Sequence, residues 1–479
     1  MLLPPDPAMR ELLDRFQSIV KTDPEILHLY SFDGLRIPHK PAAVVFPEKP
    51  EQIGTVLKIA NKYKIPITTR GAGSTLTGGA TPIKGGWVID TKKLNRIEID
   101  KELRIATVGC GAIVANIQDE AKSHGLFYPP DPSSYQHCTI GGNIACNAGG
   151  LRCVKYGVTR DYILSLKGYL ASGEFVEWAK PVRKFATGYN IRDLWIGSEG
   201  TLGVVTEASL KLIPHPETRK TLLCGFDNEA RALTSVLDLL STGVTPSILE
   251  FVDKLSVKGA QKTVGGSFFD ELEDPAVVLL EVDGDVAQVE RQLQIARDWA
   301  EKYSDAFTVA ANEIEAEHLW TVRRKCSGAM YALGDTKLNE DIVVPLSKMP
   351  VLLETIDTLR EQSRVPIAVF GHAGDGNLHV NIMYNHQDTD MTENAKGALD
   401  SLMKKVVELN GAISGEHGIG LAKSHYIGLQ FNAQTLQLMQ SIKQVFDPNN
   451  ILNPGKIFEA YSPWDHLKIE HKFPWDKAK

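Results

Sequence analysis

The chain opens on a helix signal. Asp6 can cap a helix whose first residue is Pro7, and Met9, Leu12, Leu13, Phe16 and Val20 recur behind it at helical spacing. That single apolar face predicts an amphipathic first helix. From about Pro41 the texture changes to short apolar runs alternating with amphipathic stretches. Residues 42–46 read as a strand, and Ile53, Val56, Leu57 and Ala60 line one face of a helix. Residues 65–69 read as a second strand running into Gly71, and residues 87–90 and 105–108 continue the strand pattern. Near Pro214 glycine thins out and two strand–helix–strand units follow. The first runs from Thr221 through a helix near 230–240 to a strand at 248–252. The second runs from Ala276 through a helix near 286–303 to a strand at 307–310. Such units predict an α+β fold with helices packed on one face of a sheet. A strand at 366–370, a glycine-rich turn, a strand at 378–384 and a polar helix to Leu409 complete this part. The remainder, 411–458, reads as loop-rich. The pattern divides the chain into a helical N-terminal segment (1–40), a glycine-rich domain (41–215), an α+β cap (216–410) and a C-terminal segment (411–479).

Composition narrows the partners. A net charge of -7 argues against nucleic acid or an anionic membrane as the main target. The six cysteines form no C-x-x-C pair, which suits reduced thiols and leaves no iron–sulfur or cysteine-zinc site on this chain. No basic stretch followed by an apolar one opens the chain, and no apolar run reaches membrane-spanning length. A cytoplasmic protein is expected, reaching a membrane only peripherally and through partners.

Three glycine-rich segments carry the first chemistry. Arg70-Gly71-Ala72-Gly73-Ser74-Thr75-Leu76-Thr77-Gly78-Gly79 follows a strand, and its glycines can turn backbone N–H groups inward as an anion nest. A Rossmann fingerprint with Asp90 as ribose acid is the competing reading. Leu76 stands at its third glycine, and Gly78-Gly79 with Pro82 leave no room for its helix. A plain turn explains this loop equally well on its own. Pro129-Pro130-Asp131-Pro132-Ser133-Ser134 leads into Thr139-Ile140-Gly141-Gly142-Asn143-Ile144-Ala145-Cys146-Asn147-Ala148-Gly149-Gly150. There Asn143 and Asn147 could offer amide hydrogen bonds to a polar ring edge. The third segment is Gly197-Ser198-Glu199-Gly200-Thr201-Leu202-Gly203-Val204-Val205.

A second signature is His372-Ala373-Gly374-Asp375-Gly376-Asn377-Leu378-His379, where a turn sets both histidines on adjacent strands. Ser414-Gly415-Glu416-His417-Gly418-Ile419-Gly420 adds a carboxylate and a third histidine. Two histidines and one carboxylate with an open position form a catalytic-metal ligand set. The plainer reading packs His379 in a strand and uses Asp375 and Asn377 to stabilise the turn.

Together these segments resemble the FAD-linked oxidases of the vanillyl-alcohol oxidase and p-cresol methylhydroxylase (PCMH) type. Within them the resemblance is to FAD-linked glycolate oxidase subunits and the D-lactate and D-2-hydroxyglutarate dehydrogenases, from about Pro41 to Phe458. It implies a two-part PCMH-type FAD-binding domain over 41–215, a substrate domain with an antiparallel sheet over 216–410, and a C-terminal segment returning to the flavin. It implies non-covalent FAD on Arg70, Gly71, Ala72, Gly73, Ser74, Thr75, Pro130, Asp131, Ser134, Thr139, Gly141, Gly142, Asn143, Asn147, Gly149 and Gly150. Gly157, Glu199, Gly203, Val204 and Asn453, the last in Asn453-Pro454-Gly455-Lys456, complete the implied cofactor set. His137, Cys138 and Cys146 lie near enough in sequence to make a covalent flavin conceivable; the resemblance favours the non-covalent form.

The same resemblance implies a divalent metal, zinc or manganese, on His372, His379 and Glu416. Arg323 would grip a substrate carboxylate and His417 would act as general base, while Arg324 and Lys325 read as a solvated helix face. The implied reaction turns a small D-2-hydroxy acid, D-lactate or glycolate, into its 2-oxo acid by hydride transfer to flavin N5. Electrons would leave through an iron–sulfur or electron-transfer flavoprotein subunit, or a quinone-type acceptor. One departure bears on the substrate. Relatives specific for D-2-hydroxyglutarate carry a lysine shortly before Asp341-Ile342-Val343-Val344-Pro345, where this chain has Asn339, and that favours a small monocarboxylate. A same-fold enzyme acting on D-2-hydroxyglutarate or an alditol, or a non-catalytic flavin relay, are the competing readings.

Overall fold

Asp6 caps the first helix, Pro7–Phe16, its carboxylate accepting the Met9 N–H at 2.8 Å in this computed structural model. The structure describes residues 6–474 except 265, 266, 270, 467 and 472. Val20, expected on that helix, instead opens the strand Val20–Lys21. Helix and strand bury their apolar residues in one core, so the periodicity runs on past the helix end.

The chain forms two compact units. The first takes the described parts of Met1–Gly150, Val158–His215 and Glu416–Asp476; the second takes Leu151–Gly157 and Pro216–Gly415. In the first unit a four-stranded sheet runs Val20–Lys21, Ala43–Val45, Trp87–Asp90, Ile67–Arg70, its last three strands parallel. The helix Pro50–Tyr63 packs here because Ile53, Val56, Leu57 and Ala60 form a stripe with no solvent exposure. A five-stranded antiparallel sheet follows in the order Ile97–Asp100, Ile105–Gly109, Val204–Lys211, Ile163–Tyr169, Phe175–Trp178. Val204 and Tyr169 from it share a core with Val45, Trp87 and Leu57. The C-terminal segment rejoins this unit beside Ile67, whose N–H donates to Ile451 and whose carbonyl accepts from Asn453, both at 2.7 Å.

The second unit is built on one seven-stranded sheet. Its order is Ala306–Val309, Thr218–Phe226, Ala276–Gly284, Ile248–Val252, Ile367–His372, Asn377–Tyr384, Thr336–Val343, antiparallel throughout. The sequence led us to expect helices on one face; the structure has them on both. Leu223, Val277 and Leu279 pack with Leu319, Trp320 and Val322 of the helix Glu313–Ala329. On the opposite face Phe226 meets Trp299 of the helix Val286–Tyr303, ring centroids 6.2 Å apart, and the Trp299 indole donates to the Ser235 carbonyl. The interior strand Ala276–Gly284 is apolar at successive positions, Ala-Val-Val-Leu-Leu, so both of its faces need cover.

A second correction concerns 411–458. Rather than being loop-rich throughout, it contains the 14-residue helix Ala433–Phe446, capped by Asn432 at 2.9 Å from the Thr435 N–H. This helix has no fully buried residue, and Leu438 and Val445 are exposed. Among the described residues no helix is long and apolar enough to cross a membrane.

Candidate active site

The glycine-rich segments of the first unit meet through contacts that tolerate no side chain. A Cβ on Gly71 would lie 2.1 Å from the Thr139 hydroxyl, and one on Gly73, at φ +76°, 2.3 Å from the Arg70 guanidinium. Arg70 itself is buried: its Nη1 donates to the Phe32 carbonyl at 2.5 Å and its guanidinium lies 5.2 Å from the centre of the Tyr30 ring. It holds the base of the loop that carries Ala72, Ser74 and Thr75. Thr139 caps the helix Ile140–Cys146, accepting the Gly142 N–H at 3.3 Å, and Asn147 closes that helix in the left-handed conformation. The Asn147 side chain accepts the Arg160 N–H at 3.0 Å. Gly150 abuts the Asp131 backbone, and the Pro130 carbonyl accepts from Gln118 at 2.9 Å. The Ser134 carbonyl takes the Cys138 N–H.

Asn143 bears on the cofactor. It is 3% exposed, and its amide nitrogen lacks an oxygen or nitrogen acceptor among the described residues, with the Cys138 thiol beside it. A buried donor left in that state costs about 1–3 kcal/mol, which a carbonyl on a ligand's ring edge would offset. Gly142 on the same helix is exposed, and a Cβ there would meet only the Thr139 hydroxyl, at 3.5 Å. An orphaned donor beside an open glycine fits a polar ring edge.

Glu199 and Asn453 tie the remaining segments together. The buried Glu199 carboxylate accepts the Ile419 N–H at 2.8 Å and the Gly420 N–H at 2.7 Å. Burial raises this carboxyl above its ordinary value, and the two backbone bonds oppose the rise. The Asn453 amide donates to the carbonyls of Gly79 and Glu199, both at 2.8 Å. Segments 70–79, 197–205 and 416–420 are thereby locked to one another. Gly203 faces the Trp195 ring, where a Cβ would lie 2.2 Å away, and Val204 is core; both support the loop from behind. Gly149 is buried, and Gly157 lies in the second unit with φ +79°.

In the second unit, sheet register gathers the polar groups. His372 pairs with Glu250 and with Asn377, while His379 pairs with Phe370 and Asp341. Paired and alternate residues share a face, so Glu250, His372, Asn377, His379 and Asp341 all project from the same side. The rings of His372 and His379 sit 5.2 Å apart at 84°. Glu250 is fully buried: its Oε1 accepts from His372 Nδ1 and its Oε2 from Arg323 Nε, each at 2.5 Å. Burial alone would raise the Glu250 carboxyl, but the charges of His372 and Arg323 pull it down to about 2. Arg323 stands on the helix Glu313–Ala329, its guanidinium 4.7 Å from the Phe370 ring centre. Arg324 pairs with Glu317 at 2.8 Å and Lys325 is exposed, as a solvated face requires.

Asp341 delivers the carboxylate. It accepts from the Asn377 amide at 2.7 Å, the Gly415 N–H at 2.9 Å and the Ser414 hydroxyl at 3.2 Å. Glu416 is peptide-bonded to that anchored glycine. His372 and His379, in the second unit, each offer a ligand nitrogen, and Glu416, in the first, offers a carboxylate oxygen. His417 follows, its Nε2 3.8 Å from the Glu416 carboxylate and its carbonyl accepting the Thr77 hydroxyl at 3.3 Å. Asn339 donates to Asn381 at 2.9 Å, and its own oxygen has no partner among the described residues. Sequence reasoning missed Glu250 and the role of Asp341. The signal for Glu250 was there: one carboxylate inside Ile-Leu-Glu-Phe-Val, where a buried charge demands partners.

A glycine-loop unit carrying a flavin-compatible orphan donor, joined in one chain to an antiparallel unit carrying histidines and an arginine, defines a class of flavin oxidoreductase. Residues 41–179 match the FAD binding domain, and residues 215–457 match the domain described as FAD linked oxidases, C-terminal domain. The chain belongs to the FAD-linked oxidase family and is an FAD-linked oxidoreductase of that family. It is similar to the glycolate oxidase subunit GlcD of Bacillus subtilis, 40% identical over 436 residues that cover 90% of this chain and 92% of that one. It is also similar to a D-lactate dehydrogenase of Anaerostipes hadrus, 35% identical over 466 residues, 93% and 97% of the two chains. The solved structure of p-cresol methylhydroxylase with substrate bound matches with a TM-score of 0.78 at 18% identity, covering 95% and 96%. At that identity the likeness speaks for the PCMH-type fold.

Proposed function

We propose that this protein oxidises a small D-2-hydroxy acid, D-lactate or glycolate, to the 2-oxo acid. The observation that carries the reading is the group on one face of the second unit's sheet: His372 and Arg323 bonded to Glu250, with the His379 ring 5.2 Å from that of His372. Such a face offers a cation for a carboxylate next to a pair of histidine nitrogens of the kind that bind zinc or manganese. The names of the relatives, a glycolate oxidase subunit and a D-lactate dehydrogenase, support the same substrate class.

The glycine segments and the Asn143 amide would hold FAD, which would supply the hydride acceptor. His372, His379 and Glu416 would hold a divalent metal, which would supply the positive charge that eases deprotonation of a hydroxyl. Arg323 grips the carboxylate, and its Nε bond to Glu250 fixes the plane of the guanidinium. His417 takes the hydroxyl proton on its imidazole as the α-carbon gives up its hydride and the C=O bond forms. Asn339, a neutral side chain, offers no charge for a second carboxylate. Burial pushes the Cys138 thiol up to about 11 and the Cys146 thiol up to about 12, which leaves both poor nucleophiles and favours a non-covalent flavin. The electrons would leave through an iron–sulfur or electron-transfer flavoprotein subunit or a quinone-type acceptor.

A steady-state panel tests the substrate. With an artificial dye acceptor, D-lactate or glycolate should yield its 2-oxo acid at least about tenfold faster than L-lactate or D-2-hydroxyglutarate, the ratio that a difference of about 1.4 kcal/mol in transition-state binding provides. D-2-hydroxyglutarate as the best substrate would overturn the monocarboxylate reading.

A further inference from the structure

We infer that Glu250 is a positioning residue that couples the metal ligand His372 to the substrate anchor Arg323 through a single carboxylate. The inference rests on the function proposed above and adds to it a residue that touches neither substrate nor cofactor.

The geometry is specific. Glu250 sits on the strand Ile248–Val252, directly opposite His372 in the antiparallel register, so the sheet itself sets the two side chains face to face. One carboxylate oxygen takes the Nδ1 proton of His372 at 2.5 Å; the other takes the Nε proton of Arg323, also at 2.5 Å. A proton on Nδ1 makes Nε2 the nitrogen with a lone pair to give. The carboxylate therefore selects the tautomer and fixes the ring plane, as carboxylate–histidine pairs do behind bound metals. On the other side, the bond to Nε together with the Phe370 ring 4.7 Å away leaves the guanidinium little freedom to turn. The strand gives no other reason for a charge: its neighbours Leu249, Phe251 and Val252 are fully apolar and buried.

A residue that merely neutralised Arg323 would affect folding and leave metal affinity alone. A positioning residue changes both metal affinity and substrate grip, with FAD still in place. The test uses the FAD-loaded full chain and zinc(II) or manganese(II) alone, titrated against a chelator of known affinity. Glu250→Gln keeps the side-chain volume but cannot accept from both donors at once. It should weaken metal binding about 10- to 100-fold, the usual effect of losing a group behind a metal ligand. The KM for D-lactate or glycolate should rise in parallel, with FAD content unchanged. Should Glu250→Gln fail to fold, Glu250→Asp keeps the buried charge but is one methylene too short to span both partners, and it should shift metal affinity in the same direction. Metal affinity within twofold of the wild type in either folded variant overturns the inference. A wild-type protein that takes up neither ion overturns the metal reading itself, and with it the His372 half of the coupling.

Discussion

Replacing His417 by alanine is expected to slow substrate-driven flavin reduction by about 10²–10⁴-fold, the range a positioned proton acceptor contributes. FAD should stay bound, and the reason lies in how the backbone around this histidine is held. Its carbonyl is bonded by the Thr77 hydroxyl, and the N–H groups of Ile419 and Gly420 just beyond are taken by Glu199. None of those contacts uses the imidazole. The variant should therefore keep the cofactor loops and lose only the proton acceptor. Rapid-mixing measurements without oxygen, at saturating D-lactate or glycolate, give the rate. Reduction at the wild-type rate would remove His417 from the mechanism.

Arg323 should show the second large effect. Arg323→Lys keeps a positive charge near Glu250 but loses the planar fork and the Nε contact. The lost charged bond, about 1.5–3 kcal/mol, predicts a fall in kcat/KM of roughly 10- to 150-fold. Arg323→Ala goes further. It leaves the buried Glu250 carboxylate short of a partner and should also lower stability, by about 3–5 kcal/mol if His372 does not compensate. Comparing the two variants separates substrate grip from folding. A lysine variant with kcat/KM within twofold of the wild type would show that Arg323 does not hold the carboxylate.

Much of this architecture is legible in the chain because its strongest local signals agree with the fold. Asp6-Pro7 marks a helix start and the stripe Ile53, Val56, Leu57, Ala60 marks a buried helix face; both appear as expected. The strands flanking the 373–376 turn were legible for the same reason, and their hairpin brings His372 and His379 together. Val20 misled because apolar spacing cannot register a change of element when both elements bury into one core. The helix Ala433–Phe446 was missed because its apolar face is only half-buried and further apolar residues, Leu438 and Val445, lie exposed outside it. Helices on both faces of the large sheet follow from strands with runs of consecutive apolar positions, such as 276–280, a feature that counts layers only once the strands are known to be neighbours. Glu250 shows the limit most clearly. Its strand announces a buried charge, but its two partners are 73 and 122 residues away, and only the sheet register says which they are.

The central claim is that a small D-2-hydroxy acid delivers its hydride to the FAD of this chain. The direct measurement is an anaerobic titration of the FAD-loaded, metal-supplied protein, without any added acceptor, following visible flavin absorbance and the 2-oxo acid formed. D-lactate or glycolate should bleach the flavin with about one 2-oxo acid formed per FAD, because one hydride carries both electrons. A flavin that stays oxidised with D-lactate, glycolate and D-2-hydroxyglutarate alike, in the presence of zinc or manganese, would contradict the account.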